Sequence, residues 1–533
     1  MLVYRDAHRN ARGSDLVHAL VDAWRRGSSL EASLRAAELE CALADLGHPH
    51  AETCARLSDA FASAWLGGGS PSPERVRGWL DELAPPAEFA LRIPEGYAYY
   101  ALQPEAYAVL AAELPGRAPV AVVGVRSIGT SLSAVVAAAC RRAGRPAERL
   151  TVRPTGHPFA RQLVPSDAER AWIAARRAEG AAFVVVDEGP GMSGSTFLAV
   201  AEALEAAGVP RARIRLFCSH RPDPARLVGP AAASRWSRFS AHAVAPLQPP
   251  AGARDLSGGQ WRALAYPDAQ RWPAVWASRE RVRWLSADGR WIDKFEGLAP
   301  YGDAAFGRAR QLAEAGIAPP CTRIDRGFVR YARVHGRPAR APDFALDELA
   351  RYCALRAEAF ACPTSADAGA LATMVHVNVA EALGIEVHIA PEVRRTIIAD
   401  ARMDPHEWLV TPRGLVKTDG HGHGDDHFYP GPTDVAWDVA GTIVEWRLRP
   451  ALAQRFVARV EALVGEAIAP RLEPFVVAYT AFRLGAVTFA LQEAAGAEAA
   501  RLRRVDRYYR ARLRAALRDA VAAGSVRCDT LPP

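Results

Sequence analysis

The feature that most constrains the fold is the run FVVVDEGPGMSGSTF at residues 183–197. Its first four residues are apolar without alternation, which is typical of a strand buried on both faces of a parallel sheet. Similar strand patterns occur at 118–126 and 149–154, and helical patterns separate them. Ser166 and Glu169 have the spacing of a capping box at the start of one such helix. We therefore predict an α/β domain with a parallel sheet.

Two acids follow the apolar run directly. Asp187 and Glu188 would lie at the carboxyl end of the strand, which is where open α/β sheets bind ligands. The small residues after them expose backbone amides just before a helix, and that arrangement predicts an anion site. A phosphate on the loop, with sugar hydroxyls or a divalent cation on the acids, indicates a phosphoribosyl compound.

This run resembles the PRPP motif of type I phosphoribosyltransferases. It departs from the common pattern because Glu188 replaces the second Asp, GPG replaces an apolar pair, and the loop is one residue longer. The stretch RIPEGYAYYALQPEAY at 92–107 resembles phosphoribosyltransferase-like proteins of tellurium-resistance gene clusters. The resemblance covers about residues 90–245 and implies Mg²⁺-dependent transfer from PRPP, with ribose 5-phosphate as a related ligand.

The resemblance also implies which residues act. Asp187 and Glu188 would be the catalytic acids, and GVRSIGTS at 124–131 would be the loop that contacts pyrophosphate. The predicted contacts with the phosphoribosyl group and the phosphates are Gly191, Met192, Ser193, Gly194, Ser195, Thr196, Arg126, Ser127, Ile128, Gly129, Arg153 and Arg161.

A second set of motifs lies downstream. RVRWLSADGRWIDKFEGL at 281–298 predicts a hairpin that carries Lys294, and GFVRYARVHGRP at 327–338 predicts another. LVKTD places Asp419 at a strand end, and DVAWDVA at 434–440 resembles the D-x-A-W-D-L-A helix start of the aminoglycoside and choline phosphotransferases. Together they resemble the aminoglycoside and choline phosphotransferases. That resemblance implies ATP as a ligand, Lys294 on its phosphates and Asp419 on Mg²⁺.

The expected catalytic loop, IIADARMDPHEW at 397–408, is irregular. It offers Asp400 and Asp404 as alternative bases and lacks the usual Asn, so Asp404 or His406 is expected to replace that metal ligand. The helix after the first hairpin offers only Asp303 and Glu314 as a partner for Lys294. HGHGDDH at 421–427 is either a solvated substrate loop or a metal site, although its spacing fits no standard zinc pattern.

The composition excludes few classes of protein. The net charge of +7, from 66 basic and 59 acidic residues, includes no basic block, so nucleic acid is not indicated. The eight cysteines form no CxxC, which predicts reduced thiols. The start of the chain lacks a secretory h-region, and no apolar run has the length of a membrane span. We expect a cytoplasmic protein that acts on small molecules.

The predicted architecture is α/β plus α+β and multidomain. A helical segment at 1–88 precedes the phosphoribosyltransferase-like domain at 89–245, and a kinase-like N-lobe at 246–340 precedes a helical C-lobe at 341–533. The primary hypothesis is a bifunctional enzyme that transfers phosphoribosyl groups and phosphorylates a small hydroxyl compound, in nucleoside-like metabolite synthesis. The alternatives are a regulatory protein that binds PRPP or ATP without turnover, and an RNA contact through the basic helix at 501–521.

Overall fold

The structure is a computed structural model that describes residues 1–5 and 8–528. The chain divides into two compact units. The N-terminal unit is His8–Gln248, and the C-terminal unit contains the first residues of the chain together with the residues from Pro249 onward. The predicted helical segment and the α/β segment thus share one unit from residue 8, and the finer division into four domains remains a prediction.

The N-terminal unit combines ten helices with seven strands among its described residues. Its helices are α1 (Gly13–Arg25), α2 (Ser29–Asp45), α3 (Ala51–Trp65), α4 (Pro73–Asp81), α5 (Glu95–Ala98), α6 (Pro104–Ala112), α7 (Ile128–Arg142), α8 (Asp167–Ala178), α9 (Ser195–Ala206) and α10 (Ala232–Trp236). Its strands are β1 (His8–Arg12), β2 (Glu88–Arg92), β3 (Val120–Val125), β4 (Ala147–Val152), β5 (Ala182–Val186), β6 (Ile214–Cys218) and β7 (Ser240–Ala243).

The parallel sheet predicted from the apolar run is present. Five strands pair in the order β4-β3-β5-β6-β7, and every pair is parallel. All six residues of β3 are buried, as expected for a strand covered on both faces. The predicted capping box of Ser166 and Glu169 begins α8. The last residue of β5 is Val186, so Asp187 lies at the carboxyl edge of the central strand.

The C-terminal unit continues with ten strands and eight helices in its described part. Its strands are β8 (Arg254–Asp255), β9 (Arg283–Leu285), β10 (Trp291–Phe295), β11 (Cys321–Arg323), β12 (Phe328–Ala332), β13 (Arg337–Pro338), β14 (Val387–Ile389), β15 (Trp408–Thr411), β16 (Gly414–Lys417) and β17 (Val526–Cys528). Its helices are α11 (Arg262–Ala265), α12 (Asp303–Glu314), α13 (Leu346–Ala359), α14 (Ala368–Leu383), α15 (Val435–Glu445), α16 (Pro450–Val464), α17 (Leu472–Glu493) and α18 (Gly496–Ala522).

An antiparallel sheet of order β11-β12-β10-β9-β8 opens this unit, and a mainly helical part follows. The predicted hairpin that carries Lys294 is confirmed as β9 and β10, with Gly289 at a φ of 69° in its turn. The prediction of a second hairpin at 327–338 is wrong. β12 pairs with β10 and β11, whereas β13 pairs with β15 in a separate three-stranded sheet.

The helical part surrounds one large core. It is built from buried apolar residues of α13 to α18, among them Trp437, Phe475 and Leu513. One helix, Ala469–Glu493, is long and apolar enough to cross a membrane, but 67% of its most apolar window is buried inside the protein. Burial in a core accounts for that apolar composition.

Candidate active site

Lys294 lies on β10 in the middle of the antiparallel sheet and is almost fully buried. Its Nζ donates to Asp419 Oδ1 at 2.8 Å and lies 3.2 Å from Glu296 Oε1. Residues two apart along an extended chain point to the same face, so Glu296 reaches the ammonium group without help from a helix. The structure thus joins the predicted pair Lys294 and Asp419 and adds a carboxylate that the sequence analysis missed.

The acids expected to serve Lys294 have other partners. Asp303 binds Arg323 at 2.6 Å, and Glu314 binds Arg310 at 3.2 Å. α12, which carries both acids, instead contributes Arg308, whose Nε donates to the carbonyl of His421 at 2.6 Å.

Glu296 is held in a buried polar network. It accepts hydrogen bonds from Tyr331 Oη at 3.0 Å and from Arg281 at 2.9 Å, and His421 Nε2 lies 2.6 Å from its Oε1. Burial raises the pKa of Glu296, but His421, Lys294 and Arg281 outweigh that effect and hold the pKa below its usual range. Glu296 is therefore ionised and ties the sheet to the loop after Asp419.

Asp419 follows β16 and faces several basic side chains. Besides Lys294, Arg283 lies 3.7 Å from its Oδ2, and His423 Nε2 lies 3.6 Å from its Oδ1. Burial opposes ionisation, yet Lys294 and Arg283 keep the pKa of Asp419 well below its ordinary value. A buried carboxylate kept ionised at a strand end has the chemistry of a ligand for a hard divalent cation.

The imidazole of His423 lies between Asp400 and Asp419. His423 Nδ1 is 3.1 Å from Asp400 Oδ1, while Asp400 Oδ2 accepts from Tyr352 Oη at 2.7 Å and lies 3.1 Å from Lys417 Nζ. Burial raises the pKa of Asp400, but Lys417 and His423 bring it below the usual range. This carboxylate is ionised and fully enclosed.

The backbone at Asp400 is held by α15. The amide of Asp400 donates to both oxygens of Asp438, at 2.9 and 3.0 Å, and the amide of Ala401 donates to Oδ1 at 3.3 Å. Ala401 has a φ of 68°, a strained value for a non-glycine residue. Asp434 caps α15 by accepting from the amide of Ala436, so the predicted helix start in DVAWDVA is confirmed.

Asp404 lies in a different setting. Arg483 grips it in bidentate fashion at 2.6 and 3.1 Å and also contacts Glu445 at 3.2 Å. His406 Nδ1 is 4.0 Å from Asp404, and the His406 ring stacks on Trp261. Of the two candidate bases, only Asp400 is joined to Asp419 through His423.

Glu407 is a further group that the sequence analysis missed. It occurs in two clusters whose ligand atoms lie within 4.8 Å of one another, one with Asp400 and His423 and the other with Asp404 and His406. Lys417 Nζ lies 2.5 Å from Glu407. Two of the three donors in the first cluster are carboxylates, the kind of ligand that a hard divalent cation such as Mg²⁺ prefers.

The stretch at 421–427 does not converge on one centre. His421 joins Glu296, His423 bridges two aspartates, and Asp425 binds Arg308 at 2.8 Å. His427 stacks on Tyr4. Its members therefore have separate structural partners.

In the N-terminal unit, the predicted phosphate loop leads into α9, with Gly194 as N-cap at a φ of 62°. The hydroxyls of Ser193 and Ser195 both donate to the carbonyl of Pro158, at 3.0 and 2.7 Å. Glu188 accepts from the amide of Gly96 at 2.9 Å. Side chains expected to hold a ligand thus bind the protein itself.

The three arginines of the predicted phosphoribosyl site also bind groups of the protein itself. Arg153 Nε donates to Asp45 Oδ1 at 3.1 Å, and Arg126 Nη1 donates to the same oxygen at 3.4 Å. Arg161 donates to the carbonyl of Pro154 at 3.4 Å. A carboxylate of α2 therefore occupies two of the three arginines that were predicted to bind phosphate groups, Arg126 and Arg153.

The remaining residues of that candidate site lie close to the sheet edge. Ser127 has a φ of 117°, and strained backbone of this kind clusters at functional sites. Gly129 approaches the carbonyl of Val186 so closely that a Cβ would lie 2.5 Å from its oxygen. Burial raises the pKa of Asp187 to about 7. Gly191 and Met192 are exposed, and Ile128 and Thr196 lie in the first turns of α7 and α9.

Comparisons with known proteins found no matching family model and no matching curated protein. Solved structures do match. A choline kinase from Streptococcus pneumoniae is 11% identical, with 45% of this chain and 89% of that chain covered and a TM-score of 0.30. A choline/ethanolamine kinase family protein from Mesorhizobium loti is 14% identical, with 44% and 85% covered and a TM-score of 0.30.

A thermostable mutant of an aminoglycoside phosphotransferase is 14% identical, with 45% of this chain and 91% of that chain covered and a TM-score of 0.28. None of the three is a phosphoribosyltransferase. Likenesses with TM-scores this low support no conclusion about function, which has to be inferred from the contacts of the site.

Proposed function

We propose that the C-terminal unit transfers the γ-phosphate of ATP to a hydroxyl group of a small molecule. The observation that carries the proposal is the pairing of Lys294 with Asp419 at 2.8 Å, beside an Asp400 that reaches Asp419 through His423. An ammonium group for phosphates, a carboxylate for a divalent cation and a second carboxylate nearby are the parts that phosphoryl transfer requires.

In this proposal each residue of the site has a distinct role. Lys294, positioned by Glu296, binds the phosphates of the nucleotide, and Asp419 holds Mg²⁺. Mg²⁺, when bound, neutralises charge that develops on the phosphates. Asp404 is held by Arg483 and His406 stacks on Trp261, and in this proposal both position the substrate.

The test is the release of ADP from ATP with Mg²⁺, measured with water alone and then with choline, ethanolamine or kanamycin as the acceptor. We expect slow basal release that at least one hydroxyl compound accelerates. A protein that binds ATP but releases no ADP with any acceptor would support the alternative of a nucleotide-binding regulator.

For the N-terminal unit we propose, as a second candidate function, binding of a phosphoribosyl ligand such as PRPP. The position of Asp187 and Glu188 at the carboxyl edge of a central parallel strand favours it. The bonds from Ser193 and Ser195 to Pro158 weigh against an open site. Transfer chemistry in this unit therefore depends on whether the site opens.

Asp45 offers a direct prediction. Replacing it with Asn removes the charge that competes for Arg126 and Arg153, so the affinity for pyrophosphate should rise about tenfold, which is about 1.4 kcal/mol. Calorimetric titration with pyrophosphate and with PRPP measures the change, and Asp81→Asn on an exposed position of α4 is the control. Equal affinities of Asp45→Asn and the native protein for pyrophosphate would contradict the proposal that this unit binds a phosphoribosyl ligand.

A further inference from the structure

Asp400 is poorly placed to take a proton from a substrate. Its side chain is 0% exposed, and its two oxygens already face three groups, namely Tyr352 Oη, Lys417 Nζ and His423 Nδ1. A general base must come within hydrogen-bond reach of the proton that it removes. A carboxylate enclosed in this way can orient a neighbour but cannot meet a hydroxyl group from solvent.

His423 is the neighbour that Asp400 orients. A carboxylate only accepts hydrogen bonds, so Nδ1 of the imidazole carries the hydrogen in the 3.1 Å contact with Asp400, and Nε2 is left as an acceptor. The side chain of His423 is 11% exposed. Its Nε2 lies 3.6 Å from Asp419 Oδ1, which is beyond hydrogen-bond distance. The accepting nitrogen therefore faces the Lys294 and Asp419 pair.

We propose that His423 is the catalytic residue that accepts the proton of the acceptor hydroxyl, and that Asp400 is a positioning residue that fixes its ring. This inference rests on the proposed phosphotransferase function. The acceptor oxygen forms a bond to the γ-phosphorus, and the bond from that phosphorus to the bridging β,γ-oxygen breaks to release ADP. The hydroxyl proton moves to His423 Nε2 and then to solvent, so no further reactant is needed.

In this arrangement a buried aspartate orients a histidine, and the histidine transfers the proton. It also accounts for the irregular catalytic loop. Because His423, in the loop after Asp419, supplies the base, Asp400 does not need to contact the substrate. Lys417 and Tyr352 keep Asp400 ionised and in place.

The test compares His423→Ala with His423→Asn, using ATP and Mg²⁺ with water as the acceptor. Asn can retain the donor to Asp400 but has no second ring nitrogen, so it separates the two roles of the histidine. We expect both variants to lose about a hundredfold or more in kcat, within the range for a general base, while ATP affinity measured by titration stays unchanged. Added imidazole should restore activity to His423→Ala, and it should not restore Asp400→Asn.

Several outcomes would overturn the inference. They are near-native turnover of His423→Asn, near-native turnover of His423→Ala, or a loss in His423→Ala that imidazole does not restore. His388→Ala, on an exposed position of β14, is the control for histidine removal and should match the native protein. If His423→Ala does not fold, His423→Asn alone decides by its kcat. Absence of ADP release from the native protein would instead refute the proposed function.

Discussion

Asp438→Ala is expected to destabilise the C-terminal unit by about 3–5 kcal/mol, the range for breaking a buried ion pair. Asp438 is fully buried, accepts from the amides of Asp400 and Ala401, and lies 3.4 Å from Arg356 Nε. Without it, the Arg356 charge and two backbone amides lose their partner in the core. Urea unfolding should show a lower midpoint with an unchanged slope.

Asp438→Asn separates charge from hydrogen bonding. Burial raises the pKa of Asp438, whereas Arg356 lowers it, and asparagine is neutral but still offers one acceptor oxygen. We expect a smaller loss than for alanine. Asp347→Ala, which removes an exposed partner of Arg459, should cost less than about 0.5 kcal/mol. A loss for Asp438→Ala no larger than this control would show that the Arg356 network does not stabilise the unit.

Asp419→Asn is expected to lower the rate of ATP-dependent transfer at least a thousandfold, because electrostatic groups of an active site contribute factors of about 10²–10³ each and this one, in the proposed function, also holds the cation. The variant should fold, since the amide can still accept from Lys294. Initial rates of ADP release, measured over a range of Mg²⁺ concentrations, give the result.

The matched control for Asp419→Asn lies in the same loop. Asp425→Asn removes a charge that pairs with Arg308 and should leave the rate within a few-fold of the native value. Comparable losses in the two variants would mean that general disorder of the loop, and not a missing cation ligand, explains the effect.

Sequence reasoning predicted the features that depend on local pattern. Unbroken apolar runs predicted the parallel sheet, the run at 281–298 predicted the hairpin of Lys294, and the capping box of Ser166 predicted the start of α8. Each of these follows from residues within one or two turns or strands of each other.

Contacts between distant segments were not predictable in the same way. Glu296 could have been found as a partner of Lys294 from the two-residue spacing on a strand, but Glu407 and Lys417 become neighbours only through the pairing of β15 with β16. The wrong hairpin at 327–338 has the same cause, because the partner of β13 lies about seventy residues downstream in β15. No local pattern indicated that Asp45 would reach Arg126 and Arg153.

In the proposed function, Lys294 and Asp419 together bind ATP with a divalent cation. Calorimetric titration of ATP into the native protein and into Lys294→Met, each with and without Mg²⁺, tests it most directly. We expect native binding that weakens at least about tenfold when Mg²⁺ is removed and also in Lys294→Met, as the loss of a charge-assisted phosphate contact requires. Affinity that is equal in all four titrations, or no binding by the native protein, would show that Lys294 and Asp419 do not form an ATP site.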